Sequence, residues 1–275
     1  MCCSSCLLFI VPKPERNLLT WADPGKQTKP SAWAEHTFWQ LLKDIYEHTF
    51  EVVDSLNAVG IIPEWVQIGN EITQGILWPE GSTSKWDQLS QLLNKGYEAV
   101  KAVNPGIKVI LHLDQGNDNL RFRSFFDNAH TYGVNYDVIG ASYYPFWLGT
   151  DYLLTIDDLE ANLKDLVNRY GKEVMVVETG GEDLQVQNTY DMLVSVIKKL
   201  QDVTGEKGLG VIYWEPKGAR SWSYYPLSCW NSDGKPTTAL RAFLYPELAV
   251  DERIKPSEPW ISPSISGSGQ VRFDI

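Results

Sequence analysis

Between residues 64 and 244 the chain repeats one pattern: a short apolar run, a loop, then a stretch whose apolar residues recur with helical period. The apolar runs predict strands over 64–70, 107–113, 137–143, 173–177 and 209–214. The periodic stretches predict helices over 85–103, 120–131, 156–169 and 188–201, and a short helix over 237–244. A further helix is expected over 31–59, where Phe38, Leu41, Leu42, Ile45, Val52, Val53 and Leu56 fall mostly on one face. Strands that alternate with helices in this way form βαβ units and a parallel sheet. Runs such as EVMVV carry no polar alternation, which fits strands covered on both faces. A closed barrel and a doubly wound sheet both gather their functional groups at the C-terminal ends of such strands.

Those strand ends carry two carboxylates. The run WVQIGNEITQGILWPEG puts Asn70 and Glu71 where an apolar strand gives way to a loop rich in Gly, Trp and Pro. EVMVVETGG puts Glu178 at the end of a second strand, 107 positions later. Either glutamate alone is explained by an ion pair at a strand end. Together, with aromatic loops after the same strands, they make the pair that glycoside hydrolysis needs. One carboxylic acid protonates the leaving oxygen and one carboxylate meets the anomeric carbon.

The remaining signals exclude more than they suggest. A net charge of −11 and a pI near 4.9 argue against nucleic acid or an anionic membrane as partner. No apolar run approaches the length of a membrane span. Eleven Trp and thirteen Tyr mostly serve packing, but those in loops offer flat faces for sugar rings. Cys2, Cys3 and Cys6 crowd the start of the chain and Cys229 stands alone, which is neither a disulfide framework nor zinc spacing. The N-terminus lacks a basic n-region, and the apolar stretch 7–11 is too short for a secretory h-region. His36, His48, His112 and His130 show no metal spacing, and His112 is expected to be a hydrogen-bonded strand-end residue. Ser142 in GASYY lacks the Gly-x-Ser-x-Gly frame of a nucleophile elbow, and GEKGLG precedes a strand, unlike a dinucleotide loop.

WVQIGNEITQGILWPEG, LHLDQGNDN, DVIGASYYPFWLGT, VMVVETGG and GVIYWEP, with TWADPGKQTKPSAW before them, resemble the arabinogalactan endo-β-1,4-galactanases, retaining glycosidases built on (β/α)8 barrels. The resemblance covers about Trp21 to Leu244. It implies that Glu71 is the acid/base and Glu178 the nucleophile. It implies that Asn70 bonds the sugar hydroxyl beside the reacting carbon, that Tyr144 steadies the nucleophile, and that Trp214 floors the sugar at the cleavage point. Asp114, Trp147 and Trp21 would be further substrate-binding residues. It also implies a polysaccharide substrate, the galactan of pectin side chains, with no cofactor and no metal, a monomeric state and an extracellular setting.

A complete barrel of this class needs roughly 250 residues, and five units already occupy residues 64–244. The expected fold is therefore α/β, a partial (β/α)8 barrel lacking about the first three strands. The strand of Glu71 would lie at one edge of its sheet and the strand ending at Trp214 at the other. Residues 1–20 form an unmatched leader, 21–245 the incomplete barrel, and 246–275 a Pro-punctuated wrap with a flexible tail. The arginine that supports the nucleophile in this clan has no counterpart before Glu71 except Arg16, in the leader. Two readings compete with galactan hydrolysis: a degenerate barrel that at most binds sugar, and a relative acting on mannan or a β-glucan.

Overall fold

The computed structural model describes the backbone of residues 7–10 and all of residues 22–245. Trp21, Arg16, the three N-terminal cysteines and the tail over 246–275 lie outside the described residues. The long amphipathic stretch forms α1 (Phe38–Ala58), which buries Leu41, Leu42, Ile45, Thr49 and Val53. It starts later than residue 31 because Thr37 and Gln40 close a capping box: the Gln40 N–H donates to Thr37 Oγ1 at 3.4 Å and the Thr37 N–H to Gln40 Oε1 at 2.9 Å. Residues Ser31–Trp33 make only a turn of 3-10 helix ahead of that cap.

The βα rhythm follows as expected. β2 (Trp65–Ile68) leads through a small hairpin, β3 (Gly75–Ile76) and β4 (Gly81–Ser82), to α2 (Trp86–Val103). β5 (Lys108–Leu113) precedes α3 (Asn119–Thr131), and β6 (Val138–Tyr143) precedes α4 (Ile156–Tyr170). β7 (Glu173–Thr179) precedes α5 (Val186–Gln201), and β8 (Gly208–Tyr213) leads to a short α6 (Arg220–Ser223). The segment Thr238–Leu244, expected as an α-helix, is a 3-10 helix. It is too short for periodicity to distinguish the two.

The sheet contains one strand more than the sequence pattern shows. β1 (Leu7–Ile10) pairs in parallel with β2, Leu7 opposite Trp65 and Ile10 opposite Ile68, and the sheet order is β1-β2-β5-β6-β7-β8. The strand that leads to Glu71 is therefore not an edge: β1 covers it, and among the described residues β1 and β8 end the row. A four-residue run with no following helical pattern carries too little periodicity to be read as a strand.

The faces of the sheet differ in size and in character. Val66, Ile68, Val109, Leu111, Ile139, Ala141, Val174 and Val176 face the helices and join the large core built with α1 to α5. Trp65, Ile110, Val138, Met175 and Val177 form a small separate cluster on the inner face. Strict alternation along β7 would send Glu178 outward, with Val174 and Val176. The register shifts at that point: Ala141 pairs with Val176, but Ser142 pairs with Glu178, so β7 carries one extra residue. Such a bulge re-aims the next side chain, and it turns Glu178 toward the inner face.

The turn after β2 is equally constrained. Gly69 has φ +77°, and a Cβ there would stand 2.5 Å from Ile72 Cγ2 and 3.0 Å from Ile76 Cγ2. Gly69→Ala should cost about 2 kcal/mol and lower Tm by roughly 4–8 °C, because both strain and a clash oppose it. Thermal melts of the variant read this directly, and an unchanged Tm would show that the Gly69 turn relaxes freely.

Candidate active site

The turn at Gly69 delivers Asn70 and Glu71 to the C-terminal end of β2. Glu71 adopts a left-handed backbone, φ 46° and ψ 54°, as the residue that opens the 3-10 turn Ile72–Gln74. Left-handed geometry is unfavourable for a residue with a side chain, by roughly 1–2 kcal/mol. Neighbours hold it there. The Gln27 amide donates to the Asn70 carbonyl at 2.8 Å and to the Asp23 carbonyl at 3.0 Å. Asn70 donates to the Ala22 carbonyl at 3.1 Å and accepts from Gln67 Nε2 at 3.3 Å.

Glu71 and Glu178 face one another across the inner mouth of the sheet. A carboxylate oxygen of each and a ring nitrogen of His112 all lie within 4.8 Å of one another. Ser142, on β6, donates its hydroxyl to Glu71 Oε1 at 2.6 Å. His112, on β5 and fully buried, places Nε2 2.7 Å from Ser142 Oγ and Nδ1 3.1 Å from Asn70 Oδ1. Glu178 accepts from the Tyr144 hydroxyl at 2.9 Å. Tyr144 spends its single proton on Glu178.

Burial raises both glutamates from the usual carboxylate range to about 7. Their further causes differ. At Glu71 the Ser142 bond favours the charged form, and the smaller influences of Asp114 and Asp23 oppose it. At Glu178 the opposing influence is Glu71 itself, and the Tyr144 bond favours the charged form. Among the described residues no Lys or Arg pairs with either carboxylate. Two carboxyls this close give up their protons one after the other. Burial drives His112 down to about 3, so its imidazole is neutral. Tyr144 is pushed far above the ordinary phenol range, chiefly by burial and then by Glu178, and stays a donor.

The other predicted residues take different places. Asp114 is buried beside Glu71, but Arg121 grips it with two bonds of 3.1 and 3.0 Å and Thr73 Oγ1 donates to it. Trp147, in the loop after β6, is 61% exposed and packs edge-on against Phe146. Trp214 follows β8 directly, half-buried, and its N–H donates to the Thr179 carbonyl at 2.9 Å. Sequence reasoning did not single out Gln27 or Tyr225, and it considered Ser142 only as a nucleophile. The one local signal for Ser142 is its place near the end of β6, two residues before Tyr144. The trio of Glu71, His112 and Glu178 has the reach of a metal site, but it does not fit one. Both His112 nitrogens are committed to Ser142 and to Asn70 with Glu71.

Because the glutamates titrate near 4.5 when unfolded and near 7 when folded, the unfolded chain releases its protons first. Stability contributed by the protonated pair is full below about pH 4.5 and is lost as pH rises toward 7. Glu71→Gln and Glu178→Gln should each raise Tm at about pH 8 by roughly 4–8 °C, about 2 kcal/mol, and give no gain near pH 4.5. Calorimetry at the two pH values checks this, and equal Tm at the higher pH would rule out the raised pair.

A family model described as glycosyl hydrolase family 53 matches residues 19–243. An uncharacterised protein of Niallia circulans is 36% identical over 85% of this chain and 74% of its own length. The arabinogalactan endo-β-1,4-galactanase of Humicola insolens is 34% identical over 72% of this chain and 64% of its own length. The endo-β-1,4-galactanase of Bacillus subtilis is 35% identical over 71% of this chain and 48% of its own. The chain thus spans 48–74% of these relatives. Among solved structures, the family 53 catalytic domain of Ignisphaera aggregans superposes with a TM-score of 0.73 at 30% identity, over 82% of this chain and 70% of that one. A fungal β-1,4-galactanase superposes with 0.74 at 27% identity, over 82% and 74%. Residue pattern, sheet order and family match agree: the chain belongs to glycosyl hydrolase family 53.

Proposed function

We propose that the chain carries the catalytic face of an endo-acting, retaining β-1,4-galactanase, with Glu178 as nucleophile and Glu71 as acid/base. The observation that carries this reading is the pair itself, with carboxylate oxygens within 4.8 Å. Retention uses carboxyl groups roughly 5–5.5 Å apart, whereas inversion leaves roughly 6.5–9.5 Å for a water between them. In the first step the Glu178 carboxylate forms a bond to the anomeric carbon while Glu71 gives its proton to the departing glycosidic oxygen. In the second step Glu71 takes a proton from water, which displaces Glu178 and restores the anomeric configuration.

The supporting groups follow from the electrostatics. Tyr144 donates to Glu178 and favours its ionised form. Asp114 is spoken for by Arg121 and Thr73, so its role is to hold the proton on Glu71 through its charge, in place of sugar contact. Asn70 is the partner of the hydroxyl beside the reacting carbon, and Trp214 lies under the ring. Trp147 and Trp21 serve sugars further along. A neutral galactan suits an acidic surface, which repels polyanions and not neutral sugars. The reading is of a monomer working outside the cell, and among the described residues no helix is long and apolar enough to cross a membrane.

Glu178→Ala should abolish turnover of galactan, with azide restoring a product of inverted anomeric configuration. Glu71→Ala should lose about 10²–10⁴-fold on galactan yet spare the first step for aryl galactosides with good leaving groups. Rates on galactan, mannan and β-glucan, with the product anomer followed by NMR, separate the alternatives. Rescue at position 71 with inversion would exchange the two roles, and faster cleavage of mannan or glucan would change the polymer.

A further inference from the structure

His112 sits between groups of opposite hydrogen-bonding character. On one side, Nδ1 lies 3.4 Å from the Glu71 backbone N–H, which can only donate. The same nitrogen lies 3.1 Å from Asn70 Oδ1, which can only accept. Asn70 cannot be turned round to relieve this: its Nδ2 donates to Ala22 and its Oδ1 accepts from Gln67. Gln67 in turn is fixed by donating to the Gly69 carbonyl at 2.8 Å. On the other side, Nε2 lies 2.7 Å from Ser142 Oγ, a group that both donates and accepts, and that oxygen lies 2.6 Å from Glu71 Oε1.

Each neutral tautomer of His112 satisfies one of the two Nδ1 contacts, and each goes with one state of Glu71. When Glu71 is ionised, Ser142 donates to Oε1, Nε2–H donates to Ser142, and bare Nδ1 accepts from the Glu71 N–H. When Glu71 is protonated on Oε1, the carboxyl donates to Ser142, Ser142 donates to bare Nε2, and Nδ1–H donates to Asn70 Oδ1. We propose that His112 and Ser142 form a reversible hydrogen-bond pair that follows the protonation of Glu71, the imidazole exchanging tautomer while staying neutral. This rests on the acid/base role given to Glu71 above, since only that residue must pass through both states in one cycle. The balance is one proton: Nε2 passes its proton to Ser142 as Ser142 passes its own to Glu71 Oε1, and the one proton gained from solvent is taken up on Nδ1. His112 and Ser142 are positioning residues here; neither touches the sugar.

The burial of His112 supports the neutral form in both states, since complete desolvation strongly disfavours the charged imidazole. The groups that face the pair are few. Glu178 shares the cluster, Asp114 and Asp23 act on Glu71, Arg121 is engaged with Asp114, and Tyr225 lies within the field of both glutamates. Each biases the pH at which Glu71 changes state, but none offers His112 another hydrogen-bond partner. Removal of the pair would leave one form of Glu71 hydrogen-bonded and the other not, so acid and base steps would no longer be balanced.

Nitrogen NMR of the protein labelled with 15N-histidine tests this without any need for activity. His112 is assigned among the four histidines by the signals lost in a His112→Gln variant. Across about pH 5 to 9 its protonated nitrogen should change from Nδ1 to Nε2 with the midpoint of Glu71. Glu71→Gln should hold a single tautomer at every pH, and Ser142→Ala should uncouple the imidazole from the carboxyl. One tautomer throughout in the unmodified protein would overturn the proposal. Exchange that persists in Glu71→Gln would assign it to Glu178, and exchange that persists in Ser142→Ala would remove the serine from it. Loss of the acid/base role is read separately, from the aryl galactoside rates of Glu71→Ala, so the two failures are distinct.

Discussion

Two carboxylates within 4.8 Å of one another in a mostly buried cleft cannot both ionise cheaply; at an effective dielectric near 20 their repulsion is about 3–4 kcal/mol. Everything around the pair reads as a response to that repulsion. Negative charge from Asp114 and Asp23 falls on Glu71, and hydrogen-bond donation from a phenol falls on Glu178. On the proposed roles, this asymmetry keeps the shared proton on Glu71. Among the described residues it comes from neutral donors and from aspartates, since Arg121 is turned away into its two bonds with Asp114.

Neither glutamate reaches this position by regular strand geometry. Glu71 needs the left-handed residue after Gly69, braced by Gln27 and Asn70. Glu178 needs the extra residue in β7 that breaks the alternation of Val174, Met175, Val176 and Val177. Local strain and local irregularity are placed where the chemistry lies, and the surrounding packing holds them. A chain with ideal strands at both places would bury Glu178 in the helix layer and leave Glu71 unpartnered.

The same irregularities explain what was legible in the residues alone. Helical and strand periodicity located α2 to α5 and β2, β5, β6, β7 and β8 to within a few residues, and the end but not the start of α1, because each has a large buried face to impose it. Glu71 and Glu178 were visible because a carboxylate at the end of a long apolar run is rare and needs a reason. Ser142 was not, because its importance lies in 2.6 and 2.7 Å contacts to residues 71 and 30 positions away, which no local motif records. Tyr225 lies in an irregular loop after β8, next to the exposed Tyr224, where no periodicity separates one ring from the other. β1 escaped for want of length, and the strand order then misplaced the sheet edge.

The inner face of the sheet changes character along its strands. At the N-terminal end it is a dry cluster of Trp65, Ile110, Val138, Met175 and Val177. One residue pair further on it becomes His112, Ser142 and Glu178, polar and still buried. The dry cluster excludes water from beneath the pair, which keeps the local dielectric low and makes each hydrogen bond to a carboxylate count for more. It also makes any unpartnered polar atom there expensive, so the polar layer is held together by a continuous chain from Gln67 through Asn70, His112 and Ser142 to Glu71. Stability resides mainly in the large helix-covered face, and chemistry in the small inner one. The sheet between them lets one be rigid while the other exchanges a proton.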